Sequence, residues 1–194
     1  VNALWFNALC AMAEFARRLS KDSHVYKELA DRSRTGFQRF WNAETDCCFD
    51  VLDGPDGKDD SLRPNQLFAV SLHHSPLRKP QQQAVVDACS RKLLTSHGLR
   101  SLSPDHEEYV GTYGGDQHQR DGSYHRGTVW GWLIGPFISA HWRVYRDADQ
   151  LWQILQPLIQ QLDDGCIGSL GEIYDGDPPF TPRGCFAQAW SVAE

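Results

Sequence analysis

The segment that most limits the fold of this chain runs from residue 168 to residue 184 and reads Gly-Ser-Leu-Gly-Glu-Ile-Tyr-Asp-Gly-Asp-Pro-Pro-Phe-Thr-Pro-Arg-Gly. Its prolines fix φ and lack an amide donor, and its glycines permit tight bends. We therefore expect a shaped loop here, without regular helix or strand. The loop carries the carboxylates Glu172, Asp175 and Asp177. Shaped loops of this kind often present a general acid or base.

Composition excludes several classes of protein. A chain of 194 residues is long enough to bury a single core. Its formal charge of -6 argues against a nucleic-acid partner, because phosphate binding needs a basic face. No apolar run approaches the length of a membrane span, and the first residues lack the features of a signal peptide. These features predict a soluble, intracellular protein with no membrane partner.

Hydrophobic periodicity predicts a mainly helical chain. The expected helices cover residues 2–19, 25–41, 65–72, 81–94, 127–145, 148–162 and 185–194. Pro136 should kink the fifth of these. Short extended pieces are expected at residues 47–52, before a turn at 53–57, and at 99–102. Paired helices joined by long loops are typical of a helical toroid.

The two ends of the chain suggest a fragment. The first half of the helix at residues 2–19 is apolar nearly all round, which predicts burial on most sides. The last predicted helix has no Gly or Pro terminator. We therefore expect a piece of a larger domain.

Some polar residues allow both a chemical and a purely structural interpretation. Glu172 is either a solvated loop carboxylate, which is the usual case for a glutamate, or a general base, and its setting in the shaped loop adds weight to the second interpretation. Asp175 and Asp177 are better explained by turn hydrogen bonds than by an effect on the pKa of Glu172. Arg63 and the following Pro-Asn-Gln66 either start a helix or line a pocket rim.

Aromatic and histidine residues raise a similar choice. Tyr124, His125, Trp130 and Trp132 form either a platform for sugar rings or the buried entry to a helix, and both interpretations stay open. His73, His74 and the other histidines show no metal-ligand spacing, so no metal site is predicted. The glycine-rich stretch at residues 111–116 lacks the lysine of a nucleotide-binding loop.

Five motifs taken together resemble the glucosidase domain of bacterial glycogen debranching enzymes. They are Arg63-Pro-Asn-Gln66, Gly98-Leu-Arg-Ser-Leu-Ser-Pro104, Tyr124-His-Arg-Gly-Thr-Val-Trp130, Gly171-Glu-Ile-Tyr-Asp-Gly-Asp-Pro-Pro179 and Pro182-Arg-Gly-Cys185 with Gln188-Ala-Trp190. Their order and spacing are similar over essentially the whole chain.

The resemblance implies an all-α fold, part of an (α/α)6 toroid with short β-hairpins in its loops. Residues 1–194 would be a single incomplete domain, the C-terminal portion of a glucosidase domain, partnered by the remainder of the toroid. It further implies a cytoplasmic enzyme that hydrolyses α-1,6-glucosidic branch points of glycogen or limit dextrin without a metal or other cofactor.

The resemblance also assigns roles to residues. The family's reaction inverts the configuration at the anomeric carbon, and Glu172 matches the family's general base. Its general acid is an aspartate in a Trp-Met-Asp type motif that would lie before the segment resembling Asn2–Asn7. That motif is absent from these residues, so we expect the chain alone to have little or no activity. Asp177 and Arg183 are expected to form a pair that orients Glu172. The expected substrate-binding residues are Trp5, Arg63, Gln66, Tyr124, His125, Trp130 and Trp190.

Two alternatives belong to other functional classes. A non-catalytic carbohydrate-binding remnant would keep the aromatic residues and tolerate the loss of Glu172. Another toroid enzyme, such as a phosphorylase or an α-1,2-cleaving glucosidase, would share the scaffold but differ on the leaving-group side.

Overall fold

A computed structural model describes residues 1–163 and 165–194 and shows a helix-rich chain. The helices are α1 (Asn2–Arg18), α2 (His24–Phe37), α3 (Phe68–Ser71), α4 (Lys79–Lys92), α5 (Gln117–Ser123), α6 (Ile134–Tyr145), α7 (Ala148–Gln160) and α8 (Ala189–Ala193). Short 3-10 turns at Gln38–Phe40, Pro64–Leu67, Gly131–Leu133 and Gln161–Asp163 extend or introduce some of them. None of these helices is long and apolar enough to cross a membrane.

Most of the predicted helices are confirmed. Those expected at residues 2–19, 25–41, 81–94 and 148–162 differ from α1, α2, α4 and α7 by at most four residues at either end. The helix expected at 65–72 is a 3-10 turn followed by the single-turn α3. The last helix is much shorter than expected, since α8 begins only at Ala189.

Short antiparallel strands form three small sheets. Two are pairs, β1 (Trp41–Asn42) with β2 (Cys47–Cys48) and β3 (Val51–Gly54) with β4 (Gly57–Asp59). The third has five strands, β5 (Leu94–Thr95), β6 (Gly98–Arg100), β7 (Val129–Trp130), β8 (Ile173–Tyr174) and β9 (Pro182–Arg183), paired in that order. Loops that are far apart in sequence therefore meet along one sheet.

This sheet corrects two expectations. The segment 168–184 is not free of regular structure, because it supplies β8 and β9. The helix expected at 127–145 begins only at Ile134, because Val129 and Trp130 are extended and pair with β6 and β8. Pro136 consequently lies in the first turn of α6, where a missing amide donor costs no helical hydrogen bond, and no kink is needed.

The main core lies where α3, α4 and α6 meet the five-stranded sheet. Each of these elements contributes fully buried side chains: Val70 from α3, Val85 from α4, Phe137 from α6, and Leu99 and Ile173 from the sheet. The face of the sheet that carries Leu99 and Ile173 is therefore fixed by core packing. Since Ile173 directly follows Glu172 in the chain, core packing also fixes the position of Glu172.

The first two helices form a smaller unit. α1 packs on α2 through a cluster of Phe6, Leu9 and Ala30. The expected burial of α1 on most sides is wrong within the described residues, because several of its large apolar side chains are exposed. These are Leu4, Trp5, Met12, Phe15 and, directly after the helix, Leu19.

Candidate active site

Glu172 is a buried carboxylate whose two oxygens are both held. It lies immediately before β8, and its side chain belongs to a residue only 8% exposed. The Tyr124 hydroxyl donates a hydrogen bond of 2.6 Å to Oε1. The Cys185 amide donates one of 3.0 Å to Oε2, while the Glu172 amide donates to the Cys185 carbonyl at 2.9 Å. The carboxylate therefore has one fixed orientation.

Gly184 makes the close approach to Glu172 possible. It has φ of +66°, in the left-handed region that favours glycine. A Cβ at this position would lie 2.5 Å from Glu172 Oε2 and 3.0 Å from an Ile173 side-chain carbon. Only glycine leaves the carboxylate room to reach the Cys185 amide.

Tyr124, His125 and Trp130 form an aromatic cluster beside the carboxylate. The His125 ring is stacked on Trp130, with centroids 5.2 Å apart and planes 5° apart. The Tyr124 and Trp130 rings form an edge-to-face contact, with their centroids 4.8 Å apart. The structure brings these three residues together, with Trp130 on strand β7 rather than on a helix.

Thr128 fixes the geometry of this cluster. Its hydroxyl donates to the Tyr124 carbonyl at 2.5 Å and accepts from the Trp130 indole nitrogen at 3.1 Å. Gly127, with φ of +139°, allows the turn between them; a Cβ there would lie 2.4 Å from the Val110 carbonyl oxygen. A turn and a two-residue strand thus replace the helical entry that periodicity suggested.

The surroundings of the cluster shift the pKa values of two of its members. Burial, followed by hydrogen bonding to Glu172, raises the pKa of Tyr124 well above its usual range. Tyr124 therefore remains a proton donor to Glu172 at neutral pH. Burial, followed by the charge of Arg63, lowers the pKa of His125, which favours the neutral imidazole at pH 7.

Arg63 connects the cluster to the adjoining cavity wall. Its Nη1 donates to the His125 carbonyl at 2.7 Å and to the Ser101 carbonyl at 3.2 Å. Its Nε lies 3.6 Å from Asp50 Oδ2. Asn65 donates to the other Asp50 oxygen at 2.9 Å. Arg63 therefore sets the backbone position of His125 as well as the charge of the wall.

Two neighbouring cavities share this wall. One, of about 400 Å³, is lined by Asp50, Arg63, Asn65, His125, Trp130 and Trp132 among others. The other, of about 580 Å³, is lined by Asp50, Arg63, Asn65, Gln66 and Trp132 together with residues 1–4. Asn65 lies within the predicted Arg63-Pro-Asn-Gln66 motif, whereas Asp50 was missed by sequence reasoning because it belongs to no recognised motif.

The other predicted pocket residues are less closely gathered. Gln66 lines the larger cavity, but its amide is engaged: Oε1 accepts from the Cys48 amide at 3.0 Å and Nε2 donates to the Arg63 carbonyl at 3.4 Å. Trp5, on α1, is 57% exposed, and Trp190, on α8, is 50% exposed. Neither tryptophan is among the residues lining these two cavities.

The expected pairing of Asp177 with Arg183 is wrong. Arg183 instead binds Asp175, with Nη2 3.0 Å from Oδ2 and Nε 3.2 Å from Oδ1. Asp175 also accepts from the Tyr113 amide at 2.8 Å, so it is a buried, paired carboxylate rather than a turn residue. Asp177 accepts from the Tyr109 hydroxyl at 2.9 Å.

The sheet register explains this choice of partner. Ile173 faces Arg183 across β8 and β9, and Asp175 lies two residues further along the β8 side. A diagonal cross-strand neighbour is within reach of a long arginine side chain. Asp177 lies beyond Gly176, where its amide donates to the Gly111 carbonyl at 3.1 Å.

Comparison with known proteins identifies the family. A sequence model described as amylo-alpha-1,6-glucosidase matches residues 1–194, the whole chain. The chain belongs to the amylo-alpha-1,6-glucosidase family. It is therefore a domain of glycoside hydrolase type, and Glu172 with its aromatic cluster is the candidate active site of this family member.

Solved structures agree on the fold. A GH63 mannosylglycerate hydrolase from Thermus thermophilus matches with a TM-score of 0.74 and 19% identity, over 99% of this chain and 42% of that one. The neutral trehalase from Saccharomyces cerevisiae matches with a TM-score of 0.67 and 18% identity, over 100% of this chain and 36% of that one. The chain thus spans less than half the length of these proteins. Part of an (α/α)6 toroid, with short hairpins in its loops, is confirmed as the fold class.

Proposed function

We propose that this family member is part of an α-1,6-glucosidase that hydrolyses branch points of glycogen or limit dextrin in the cytoplasm, with Glu172 as general base. The observation that carries the proposal is the buried carboxylate of Glu172, held by Tyr124 and the Cys185 amide beside a stacked aromatic cluster. By the sequence resemblance, this carboxylate would correspond to the family's base.

The fixed carboxylate suits the role of base in an inverting reaction. Glu172 would take a proton from a water molecule while that water attacks the anomeric carbon. A carboxylic acid on the opposite face of the sugar would protonate the leaving oxygen, with the two carboxyl groups roughly 6.5–9.5 Å apart. In this proposal the acid is the aspartate of the family's Trp-Met-Asp type motif, supplied by the remainder of the toroid domain.

The surrounding side chains suit an uncharged sugar. The Trp130 and His125 rings offer apolar faces for C–H surfaces, and the neutral imidazole offers hydrogen bonds to hydroxyl groups. Arg63 and Asn65 add polar groups at the cavity wall. Gln66, Trp5 and Trp190 remain proposed substrate contacts, with the two exposed tryptophans available to outer glucose units.

The decisive experiment compares the chain extended to include the upstream motif with its Glu172→Gln variant. Glucose release from an α-1,6-glucosyl-branched oligosaccharide is followed, and the anomer first released is identified by proton NMR. We expect β-glucose from the extended protein, a loss of activity of at least about 100-fold in the variant, and almost no turnover by the 194-residue chain.

A matched control uses the same substitution at an exposed site. Glu107→Gln, in an exposed loop, is expected to leave the rate unchanged. A Glu172→Gln variant as active as the parent would remove Glu172 from the chemistry, and initial release of α-glucose would remove the inverting mechanism.

The solved structures make linkage worth testing separately, because similar proteins of this fold are named as hydrolases of other sugars. The extended protein should be assayed with trehalose, mannosylglycerate and an α-1,2-linked glucoside, with and without phosphate. Preference for one of these linkages would replace the debranching assignment while keeping Glu172 as base. Dependence on phosphate would also remove Glu172 as base, because phosphate would then attack the anomeric carbon in place of an activated water.

A further inference from the structure

We infer that Glu14, His73 and His74 bind a divalent transition-metal ion such as Zn²⁺ at a site separate from Glu172. Each residue offers one ligand atom, and these three atoms all lie within 4.8 Å of one another. His74 Nε2 is 3.4 Å from Glu14 Oε1. The two imidazole rings are nearly perpendicular, at 88°, with centroids 4.6 Å apart.

The three groups are a recognised donor set for zinc. Two imidazoles and one carboxylate bind Zn²⁺ at about 2.0–2.2 Å and leave a fourth position for water. Tetrahedral ligands at that distance are roughly 3.4 Å from one another. The Glu14–His74 pair already has this spacing. The His73 nitrogen lies within 4.8 Å of the other two ligand atoms. It would need to approach each of them by little more than about 1 Å, which rotation of the side chains supplies.

The backbone around the histidine pair is held from several sides. The Arg143 guanidinium donates to the carbonyls of Leu72 and His73 at 2.6 and 3.0 Å. The His74 amide donates to Asn7 Oδ1 at 3.0 Å. The loop is thus tied to α6 on one side and to α1 on the other. Metal binding would therefore require no rearrangement of the chain.

Sequence spacing gave no sign of this site. Adjacent histidines without a third ligand nearby do not form a recognisable metal motif, and no metal was expected. Glu14 comes from α1, far from the histidines in sequence, and only the packing of α1 beside the loop after α3 brings them together. A plain His74–Glu14 ion pair is the competing explanation.

The location suggests what the ion would do. Residues 1–4, at the start of α1, line the larger cavity, while Glu14 lies about 15 Å beyond Leu4 along the helix at 1.5 Å per residue. An ion bound by Glu14 and the two histidines would join α1 to the loop after α3. It would stabilise the position of the cavity-lining end of α1 without touching the Glu172 cluster.

Titration of the chain with Zn²⁺ and Co²⁺ tests this inference. Isothermal titration calorimetry with ZnCl₂ should show one ion per chain. The visible spectrum of the Co²⁺ form should show nitrogen and oxygen ligation without thiolate charge-transfer bands, which separates the site from the free cysteines. Since loss of outer-shell partners alone costs about 10–100-fold in affinity, Glu14→Gln, His73→Gln and His74→Gln should each weaken Zn²⁺ binding at least about tenfold.

Controls keep the test decisive. His118→Gln, an exposed histidine on α5, should leave the affinity unchanged. His73 is itself exposed, so His73→Gln should fold normally and still lose affinity. The absence of a one-to-one complex, equal affinities in all variants, or a thiolate spectrum would overturn the inference and leave the ion pair as the sole role of Glu14 and His74.

Discussion

At the residue scale, the Tyr124 hydroxyl is the side-chain donor that orients Glu172. Its hydrogen bond of 2.6 Å goes to one oxygen, while the Cys185 amide holds the other. Burial and Glu172 raise the pKa of Tyr124, so the proton stays on the phenol throughout the neutral range. The hydrogen bond therefore orients the Glu172 carboxylate and does not supply it with a proton.

Tyr124→Phe in the extended protein should lower kcat by about 10–100-fold. Hydrogen bonds to charged groups contribute about 1.5–3 kcal/mol, and about 1.36 kcal/mol corresponds to a factor of ten in rate. KM should change less, because the ring and its contact with Trp130 remain. Tyr113→Phe is the matched control: its ring lies 5.8 Å from Tyr124, and it should keep kcat. An unchanged kcat in Tyr124→Phe would contradict the orienting role.

Gly184→Ala should separate activity from stability when compared with Gly168→Ala. Both glycines have positive φ, +66° and +74°, so each alanine should cost about 1 kcal/mol of unfolding free energy. Only at Gly184 would the new Cβ meet Glu172, 2.5 Å from Oε2, whereas nothing lies within 4 Å at Gly168. Urea unfolding should show a loss of stability in both variants, larger in Gly184→Ala because of its contact with Glu172 and Ile173. Glucose release should fall only in Gly184→Ala. Equal rates would show that Glu172 tolerates displacement.

At the element scale, the helices of this chain follow from periodicity, but the sheet that carries the site does not. α4 and α7 have enough turns for a 3.6-residue pattern to stand out. β7 and β8 are two residues long, which is too short for any alternation, and tertiary pairing alone fixes them as strands. α5 was missed because its seven residues are polar and contain Gly122; an Asp116–Gln119 capping box was its only signal.

The same limit applied to the candidate site. Glu172, Tyr124 and His125 stand in motifs that resemble a family, so sequence located them. The partner of Arg183 depended on the register of β8 and β9, which a chain rich in proline and glycine does not reveal. Asp50 and Glu14 depended on packing between distant segments, for which the sequence holds no local pattern.

Helix α6 carries a histidine that should make stability depend on pH. His141 is only 3% exposed, and within the described residues its Nδ1 has no hydrogen-bond partner. Burial lowers its pKa below the unfolded value of about 6.5. The unfolded chain therefore binds the proton more readily, and the free energy of unfolding should fall as pH drops through about 6.5 towards the folded-state pKa.

His141→Phe should weaken this dependence, because phenylalanine has no proton to bind and fits between Phe137 and Tyr145. Unfolding free energies in urea at about pH 7.5 and about pH 5.5, on either side of the unfolded pKa, provide the measurement. The difference between the two pH values should be smaller in the variant than in the parent. An identical difference would place the acid sensitivity elsewhere in the chain.

At the scale of the whole molecule, apolar side chains are divided between a core and an uncovered surface. Fully buried residues such as Phe137 and Leu99 form a continuous core under the sheet. On α1 and at its end, by contrast, Met12, Phe15 and Leu19 are between 42% and 70% exposed. Large exposed apolar patches on soluble proteins usually mark contact surfaces. In the proposed enzyme the remainder of the toroid would cover this one.

The uncovered α1 surface leads to a difference between the 194-residue chain and the extended protein. The chain alone should bind the dye 1-anilinonaphthalene-8-sulfonate and self-associate in sedimentation velocity, since exposed apolar area favours association by about 25 cal/mol per Å² buried. Phe15→Ser with Leu19→Ser should reduce both signals without unfolding the chain, because both side chains already face solvent. The extended protein should bind little dye with or without these substitutions if its added residues cover α1. Equal dye binding by the chain and the extended protein would mean that α1 stays exposed in both, and that the toroid closes over another surface.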